Sequence, residues 1–170
     1  MEGHLLSWLT FAPTGGALLL LFARVLLGAR EETIRRLALA LSLVPLGLCV
    51  PLLARFDPTA SGPQMVERAP WIRFFGFNVD YFVGVDGLSL WFVVLSALLV
   101  TISILASWRA IDRHVLEFHI FLLLLETGLI GVFVALDMFL FFIFWEVMLV
   151  PMYFLIGIWG YERRIYAAVK

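Results

Sequence analysis

The chain has 170 residues, of which 63% are hydrophobic and 15% charged, and its mean hydropathy is +1.02. Soluble domains contain about 45–50% apolar and about 25% charged residues, so this composition excludes an ordinary soluble domain and indicates a protein embedded in the lipid bilayer. The net charge of -1 leaves no basic surface for phosphates, which argues against nucleic acid as a partner.

Long apolar runs predict five transmembrane helices, because a bilayer core about 30 Å thick needs about 20 apolar residues at about 1.5 Å each. Pro13 interrupts the first run and Pro45 the second, which membrane helices tolerate where neighbours satisfy the freed backbone groups. The predicted fold is an all-α polytopic transmembrane helix bundle in a single membrane domain. Its five spans cover about residues 5–27, 33–53, 85–108, 118–135 and 138–159.

The segments outside the spans are polar. Residues 55–81 are rich in Pro, Gly and charge, so we predict an interfacial outer loop with an amphipathic patch from about Trp71 to Phe77. Residues 162–170 predict the start of a sixth helix. The first residues carry no basic leader region, so we expect the first apolar run to be a membrane span and not a cleaved signal peptide.

The distribution of Lys and Arg predicts the orientation, since cytoplasmic connections hold the excess of positive charge. If the spans alternate, nine of the 12 basic residues lie on one side and only Arg55, Arg68 and Arg73 on the other. We therefore expect the amino terminus and the 55–81 loop to lie outside. The nine cytoplasmic residues are Arg24, Arg30, Arg35, Arg36, Arg109, Arg113, Arg163, Arg164 and Lys170.

Two carboxylates fall deep inside predicted spans, Glu126 in the fourth and Glu146 in the fifth. An ionisable group at mid-bilayer costs about 2.5–3.5 kcal/mol on insertion scales, so both are expected to face the bundle interior, paired or protonated. Glu146 is the first candidate for proton transfer. Glu126 is a second candidate, for proton transfer or a lateral relay, or else it is only an interhelical hydrogen-bond donor. A coupled Glu126–Glu146 pair is a further hypothesis, because both approach mid-bilayer depth in adjacent antiparallel helices.

Other polar residues sit near the predicted helix ends. His114 and His119 lie at the cytoplasmic mouth of the fourth span, where a near-neutral pKa would suit proton entry, although one of them would serve equally as a solvated interface histidine. Asp86 and Asp137 are predicted to be cap or turn residues. Pro151, five residues after Glu146, predicts a helix kink that admits water, or else a simple packing role.

No redox or metal centre is expected. Cys49 is the single cysteine and lies in an apolar run, so we predict that it packs in the core. The sequence shows no cysteine framework, no glycine-rich phosphate loop and no haem-like histidine pair, so no cofactor and no metal are expected in this chain.

The run FFIFWEVMLVPMYFLIGIWG, residues 141–160, closely resembles the fifth-helix signature of the subunit M family of NADH-quinone oxidoreductase (respiratory complex I). The run VDGLSL, residues 85–90, resembles the third-helix opening that this family shares with its antiporter-like relatives. GVFVALD at 131–137 and ERRIY at 162–166 are also similar to the family. The resemblance covers about residue 77 to the end, and the first two spans match only in hydropathy.

The resemblance implies the amino-terminal part of an antiporter-like subunit of roughly fourteen helices with two inverted repeats. Proton translocation would be coupled to NADH oxidation by quinone in other subunits, and this chain would carry no redox chemistry. The implied partners are the lipid bilayer of the inner membrane and the other membrane subunits, including related antiporter-like ones. Glu146 matches the family's fifth-helix glutamate in a chain of buried charges, whose lysine partners would follow Lys170.

Two alternatives stay open at this stage. The first is the related subunit of a multisubunit cation/proton antiporter, which has the same fold but no electron input. The second is a membrane anchor or assembly protein without transport, in which neutralising Glu146 would have no effect.

Overall fold

Five long helices dominate the computed structural model, which describes residues 3–74, 77–161 and 164–169. All five are long and apolar enough to cross a membrane, which confirms the predicted all-α membrane bundle. The first and fifth helices have the predicted bounds, and the other three differ by a few residues. The helices are α1 Leu5–Leu27, α2 Glu31–Arg55, α3 Ser89–Ala106, α4 Val115–Val134, α5 Met138–Trp159 and the short α6 Arg164–Val169.

The predicted outer loop is instead largely a two-stranded antiparallel sheet of β1 (Gln64–Phe74) and β2 (Phe77–Val85). The prediction of a loop was wrong for these two strands, because the Pro, Gly and charged residues of the segment hide a period-2 pattern in its second half. Val79, Val83 and Val85 share that period and are buried. Residues 75 and 76 of the predicted amphipathic patch lie outside the described residues, as do residues 162, 163 and 170 of the predicted sixth helix.

The sheet is fastened to the start of α1 by Glu67. Because the residue before α1 supplies no side-chain cap, the first N–H groups of the helix need an outside acceptor. The buried Glu67 carboxylate accepts hydrogen bonds from the Leu6 N–H at 2.7 Å and from the Ser7 backbone N–H and hydroxyl. Its negative charge also suits the positive end of the helix dipole.

The second strand closes the same end of the bundle against the turn between α4 and α5. The Leu136 N–H donates to the Phe82 carbonyl at 2.9 Å, and Val83 pairs with Ala135 in an isolated antiparallel bridge. A side chain at Gly84 would place its Cβ 2.7 Å from Leu136 Cδ1, so a larger residue here would have to displace the Leu136 side chain. The hairpin therefore covers the start of α1, the end of α4 and the start of α5.

The helix α4 lies at the centre and contacts α1, α2, α3 and α5, whereas α5 packs mainly on α4. Two groups of buried apolar side chains fill the interior at different depths. The hairpin-side cluster includes Leu6, Leu9, Cys49, Val93, Ala97 and Ile130. The far-side cluster includes Ala17, Leu20, Ala38, Val100, Ile104 and Leu123. The predicted packing role of Cys49 is confirmed, since this residue is 2% exposed.

Candidate functional site

Glu126 lies in the interior of the bundle, between the two apolar clusters. Its exposed fraction is 0%, and neither carboxylate oxygen has a hydrogen-bond partner among the described residues. An unpaired charge buried away from water is costly, so this environment favours the neutral carboxyl. The expected interior position of Glu126 is thus observed.

His119 occupies the same face of α4. The two residues are seven positions apart, close to two helical turns and about 10.5 Å along the axis. His119 is 1% exposed, its Nδ1 lies 2.6 Å from the Val115 carbonyl oxygen, and its Nε2 is buried without a partner among the described residues. Leu122 and Leu123 lie between them along the helix and are buried. α4 therefore carries two interior titratable groups separated by apolar side chains.

His114 has a different environment from His119. It precedes α4 in a left-handed conformation with φ of 52°, and its side chain is 64% exposed. Its Nδ1 lies 3.7 Å from Glu117 Oε1. Together with Arg24 and Glu31 it lines a cavity of about 220 Å³ at the end of the bundle opposite the hairpin. The two histidines are therefore a surface group and an interior group.

Glu146 is exposed on α5, so the expectation that it faces the interior of this bundle was wrong. The α5 face toward α4 carries Phe144 and Met148, which lie against Gly131 and Gly128. Glu146 is two residues from each of those two α5 side chains, about 200° around the helix, and points away from α4. Because α5 is apolar on every face, its sequence pattern indicates depth but not rotation.

The same geometry separates the two glutamates. Gly128, which faces α5, is two residues from Glu126, so Glu126 points away from α5. The hypothesis of a coupled Glu126–Glu146 pair is therefore not supported, since Glu126 points away from α5 and Glu146 points away from α4.

The remaining candidates lie at or near helix ends. The Asp137 carboxylate accepts hydrogen bonds from the Phe139 and Leu140 N–H groups at 2.9 and 3.0 Å, which confirms it as the cap of α5. Asp86 likewise accepts from the Leu88 and Ser89 N–H groups at the start of α3, and its hydrogen bond from the Ser89 N–H lowers the pKa of its carboxyl. Pro151 is buried within an uninterrupted α5, and the kink stays a prediction.

Small polar side chains at the depth of Glu126 were not singled out from the sequence. Thr14 Oγ1 and Thr127 Oγ1 share a hydrogen bond of 2.8 Å between α1 and α4. Thr101 Oγ1 donates across to the Ser42 carbonyl of α2 at 3.3 Å. Each is a single hydroxyl in an apolar run, a weak signal that becomes informative only when the packing brings several to one depth.

Comparisons with known proteins show which family model and which relatives this chain matches. The model of the family described as "NADH:quinone oxidoreductase/Mrp antiporter, TM" matches residues 135–170. The chain is 41% identical over 168 residues to NADH-quinone oxidoreductase subunit M of Rhodobacter capsulatus, covering 98% of this chain and 32% of that protein. It is 50% identical over 106 residues to subunit M of Escherichia coli (strain K12), covering 59% of this chain and 20% of that protein.

Solved structures give the same result. A chain of respiratory complex I from Thermus thermophilus with bound NADH matches with a TM-score of 0.75 and 28% identity, over 96% of this chain and 31% of that chain. A chain of the archaeal membrane-bound sulfane sulfur reductase matches in fold, with a TM-score of 0.68 and 21% identity. The chain spans a third or less of the length of these relatives. The resemblance to subunit M and the antiporter-like membrane subunits is confirmed, and the chain is a multi-pass membrane protein.

Proposed function

We propose that this chain is the amino-terminal part of a proton-translocating, antiporter-like membrane subunit of an NADH-quinone oxidoreductase. The observation that carries the proposal is the 41% identity to subunit M of Rhodobacter capsulatus over 98% of the chain. In this proposal NADH oxidation and quinone reduction take place in other subunits, and this chain holds no cofactor. It lies in the inner membrane with its amino terminus outside, among other membrane subunits that include related antiporter-like ones.

Protons would enter α4 from the end opposite the hairpin. His114 lies at the cavity that it shares with Glu31, and His119 is the first titratable group in the interior beyond it on the same helix. Glu126 follows on the same face. A hydrogen bond spans about 3 Å, so transfer over about 10.5 Å requires water molecules to pass Leu122 and Leu123. Wetting of that apolar interval would control the transfer.

Glu146 would act on the opposite side of the α4–α5 pair. A glutamate that faced lipid at this depth would cost about 2.5–3.5 kcal/mol, so we expect other helices or another subunit to cover this face of α5 in the whole protein. Movement of a neighbouring positive charge away from Glu146 would favour the protonated carboxyl, and its return would favour release of the proton.

A second candidate is a subunit of a cation/proton antiporter, because the matching family description names both kinds of protein. The two differ in their energy source. The test uses sealed vesicles that contain the complete complex. NADH should drive proton movement across the membrane in a quinone-dependent manner, whereas cation/proton exchange without any response to NADH would replace the first proposal with the second.

A further inference from the structure

At the depth of Glu126, prolines and polar residues interrupt the apolar packing of four helices. In α1 the buried Pro13 lies between Leu9 of the hairpin-side cluster and Ala17 of the far-side cluster. In α2 the buried Pro45 lies between Ala38 and Cys49 in the same way. We call this depth the polar layer, defined by Pro13, Thr14, Ser42, Pro45, Thr101, Glu126 and Thr127.

Contacts on the far side of the layer fix the alignment of three helices. A Cβ at Gly16 would lie 3.2 Å from Leu41 Cβ and 3.4 Å from Leu123 Cδ1, so these residues of α1, α2 and α4 meet. One turn toward the hairpin from that contact are Pro13, Pro45 and Glu126. The Thr14–Thr127 hydrogen bond joins α1 and α4 at the same level.

The two prolines leave backbone acceptors in this layer. A proline has no N–H, so the carbonyl four residues earlier loses its helical partner, which frees the Leu9 carbonyl in α1 and the Leu41 carbonyl in α2. Each of these carbonyls points along its helix toward the proline. Leu9 is 0% exposed and Leu41 is partly buried, and a buried carbonyl oxygen without a donor is costly, so each carbonyl favours a hydrogen bond from outside its own helix.

Among the described residues, the hydrogen bonds donated by the hydroxyl groups near this depth go to other acceptors. Thr10 donates to the Leu6 carbonyl, Ser42 to the Leu39 carbonyl, and Thr101 to the Ser42 and Ala97 carbonyls. The neutral Glu126 carboxyl brings one O–H donor, and the Thr14–Thr127 pair has one hydroxyl hydrogen beyond the bond that it shares. The acceptors are the Glu126 carbonyl oxygen and the two freed carbonyls, so the polar layer still has more acceptors than donors. A water molecule carries two donor hydrogens and is the small species that satisfies such a set.

We infer that the polar layer is a binding site for internal water, held between the neutral Glu126 carboxyl and the carbonyls freed by Pro13 and Pro45. Where the Glu126 carboxyl serves proton transfer, this inference rests on the proposed function. The water site itself depends on hydrogen bonding alone and can be tested separately.

The test is infrared difference spectroscopy of the complete complex, using the C=O stretch of a protonated carboxyl that disappears in Glu126→Gln. We expect this band at neutral pH, and we expect it to shift soon after transfer to D₂O, because bound water exchanges the carboxyl proton. Pro13→Ala and Pro45→Ala each restore an N–H that occupies the freed carbonyl. The band should then move to higher wavenumber and exchange about fivefold more slowly, which corresponds to about 1 kcal/mol of lost hydrogen bonding.

Pro51→Ala is the matched control, because Pro51 lies in the same helix α2 but outside the polar layer, and it should leave the band unchanged. Three results would overturn the inference. The band could be absent from the unsubstituted complex at neutral pH, it could fail to shift in D₂O, or all three proline variants could change it in the same way. A band that changes when sodium replaces potassium would assign the site to a cation instead. Unaltered NADH-driven pumping in Glu126→Gln would remove Glu126 from the proposed function without affecting the water site.

Discussion

Burial separates the two candidate histidines, and likewise the two candidate glutamates, into different environments. His119 and Glu126 share the interior face of α4, whereas His114 faces solvent and Glu146 faces outward from α5. The positions of both glutamates at mid-span could be predicted, because each interrupts a long apolar run. Their directions could not, since α4 and α5 are apolar all round and helix rotation depends on close packing at Gly128 and Gly131.

Replacement of Glu146 by Gln tests its proton-transfer role. The amide keeps the shape of the side chain but carries no proton, so we expect assembly of the complex to persist and NADH-driven proton pumping and coupled quinone reduction to fall severely. Glu146→Asp should be milder, because it keeps the carboxyl. Glu32→Gln, at a half-exposed surface glutamate paired with Arg36, is the control and should pump normally. Normal pumping by an assembled Glu146→Gln complex would remove Glu146 from the mechanism.

Among the elements, the helices were more predictable than the hairpin. The length of an apolar run predicts a membrane helix, and α1 and α5 begin and end where the runs do. Only the alternating valines indicate the strand β2, and β1 contains Pro70, which weakens any strand pattern. The capping contact of Glu67 with α1 joins residues 60 positions apart, so no local pattern indicates it.

The tight α4–α5 interface gives a prediction about stability. A Cβ at Gly128 would lie 2.8 Å from Met148 Cβ and 2.9 Å from Met148 Cα, and backbone cannot move aside as a flexible side chain does. We expect Gly128→Ala to destabilise the protein by about 1–3 kcal/mol through overpacking, seen as a lower thermal unfolding midpoint in detergent. Gly15→Ala is the control, because nothing lies within 4 Å of its Cβ, and it should be neutral or slightly stabilising. Equal midpoints for the two variants would contradict the close packing.

The hairpin should respond to acid through Asp80. Its carboxylate accepts hydrogen bonds from Arg68 at 2.7 Å and Arg73 at 2.5 Å, and the Arg68 hydrogen bond chiefly holds the pKa of Asp80 below its ordinary value. A lowered pKa stabilises the folded form above the unfolded pKa of about 4, and this stabilisation is lost as pH falls through the folded value.

Asp80→Asn should therefore speed amide hydrogen exchange in β1 and β2 relative to the unsubstituted protein, by the same factor from pH 5 to pH 8. The difference should vanish once the pH lies below the folded pKa. Asp112→Asn, in the exposed α3–α4 connection, is the control and should leave the strands unchanged. A difference that varies between pH 5 and 8 would show that another group controls the hairpin.

At the scale of the whole molecule, one face of α5 is exposed. Phe142 and Val150 are more than half exposed beside Glu146, at a depth where the other helices pack together. The relatives are about three times as long as this chain, which agrees with our proposal that further helices or another subunit cover this face. The structure also places the hairpin and the His114 cavity at opposite ends of the bundle, so the two ends can be assigned to the two sides of the membrane by experiment.

The asymmetry of basic residues predicts which end is outside. Reporter cysteines at Ser61, beside the hairpin, and at His114, in the α3–α4 connection, should react with an impermeant thiol reagent from opposite faces of sealed vesicles, Ser61 from outside and His114 from the cytoplasmic side. Both positions are exposed, and the native Cys49 is buried, so a Cys49→Ala background gives low background labelling without opening a surface site. Labelling of both positions from one face would contradict the five-span topology. Labelling from opposite faces in the reverse sense would keep the topology but place the hairpin in the cytoplasm, and proton entry at His114 would then begin from outside.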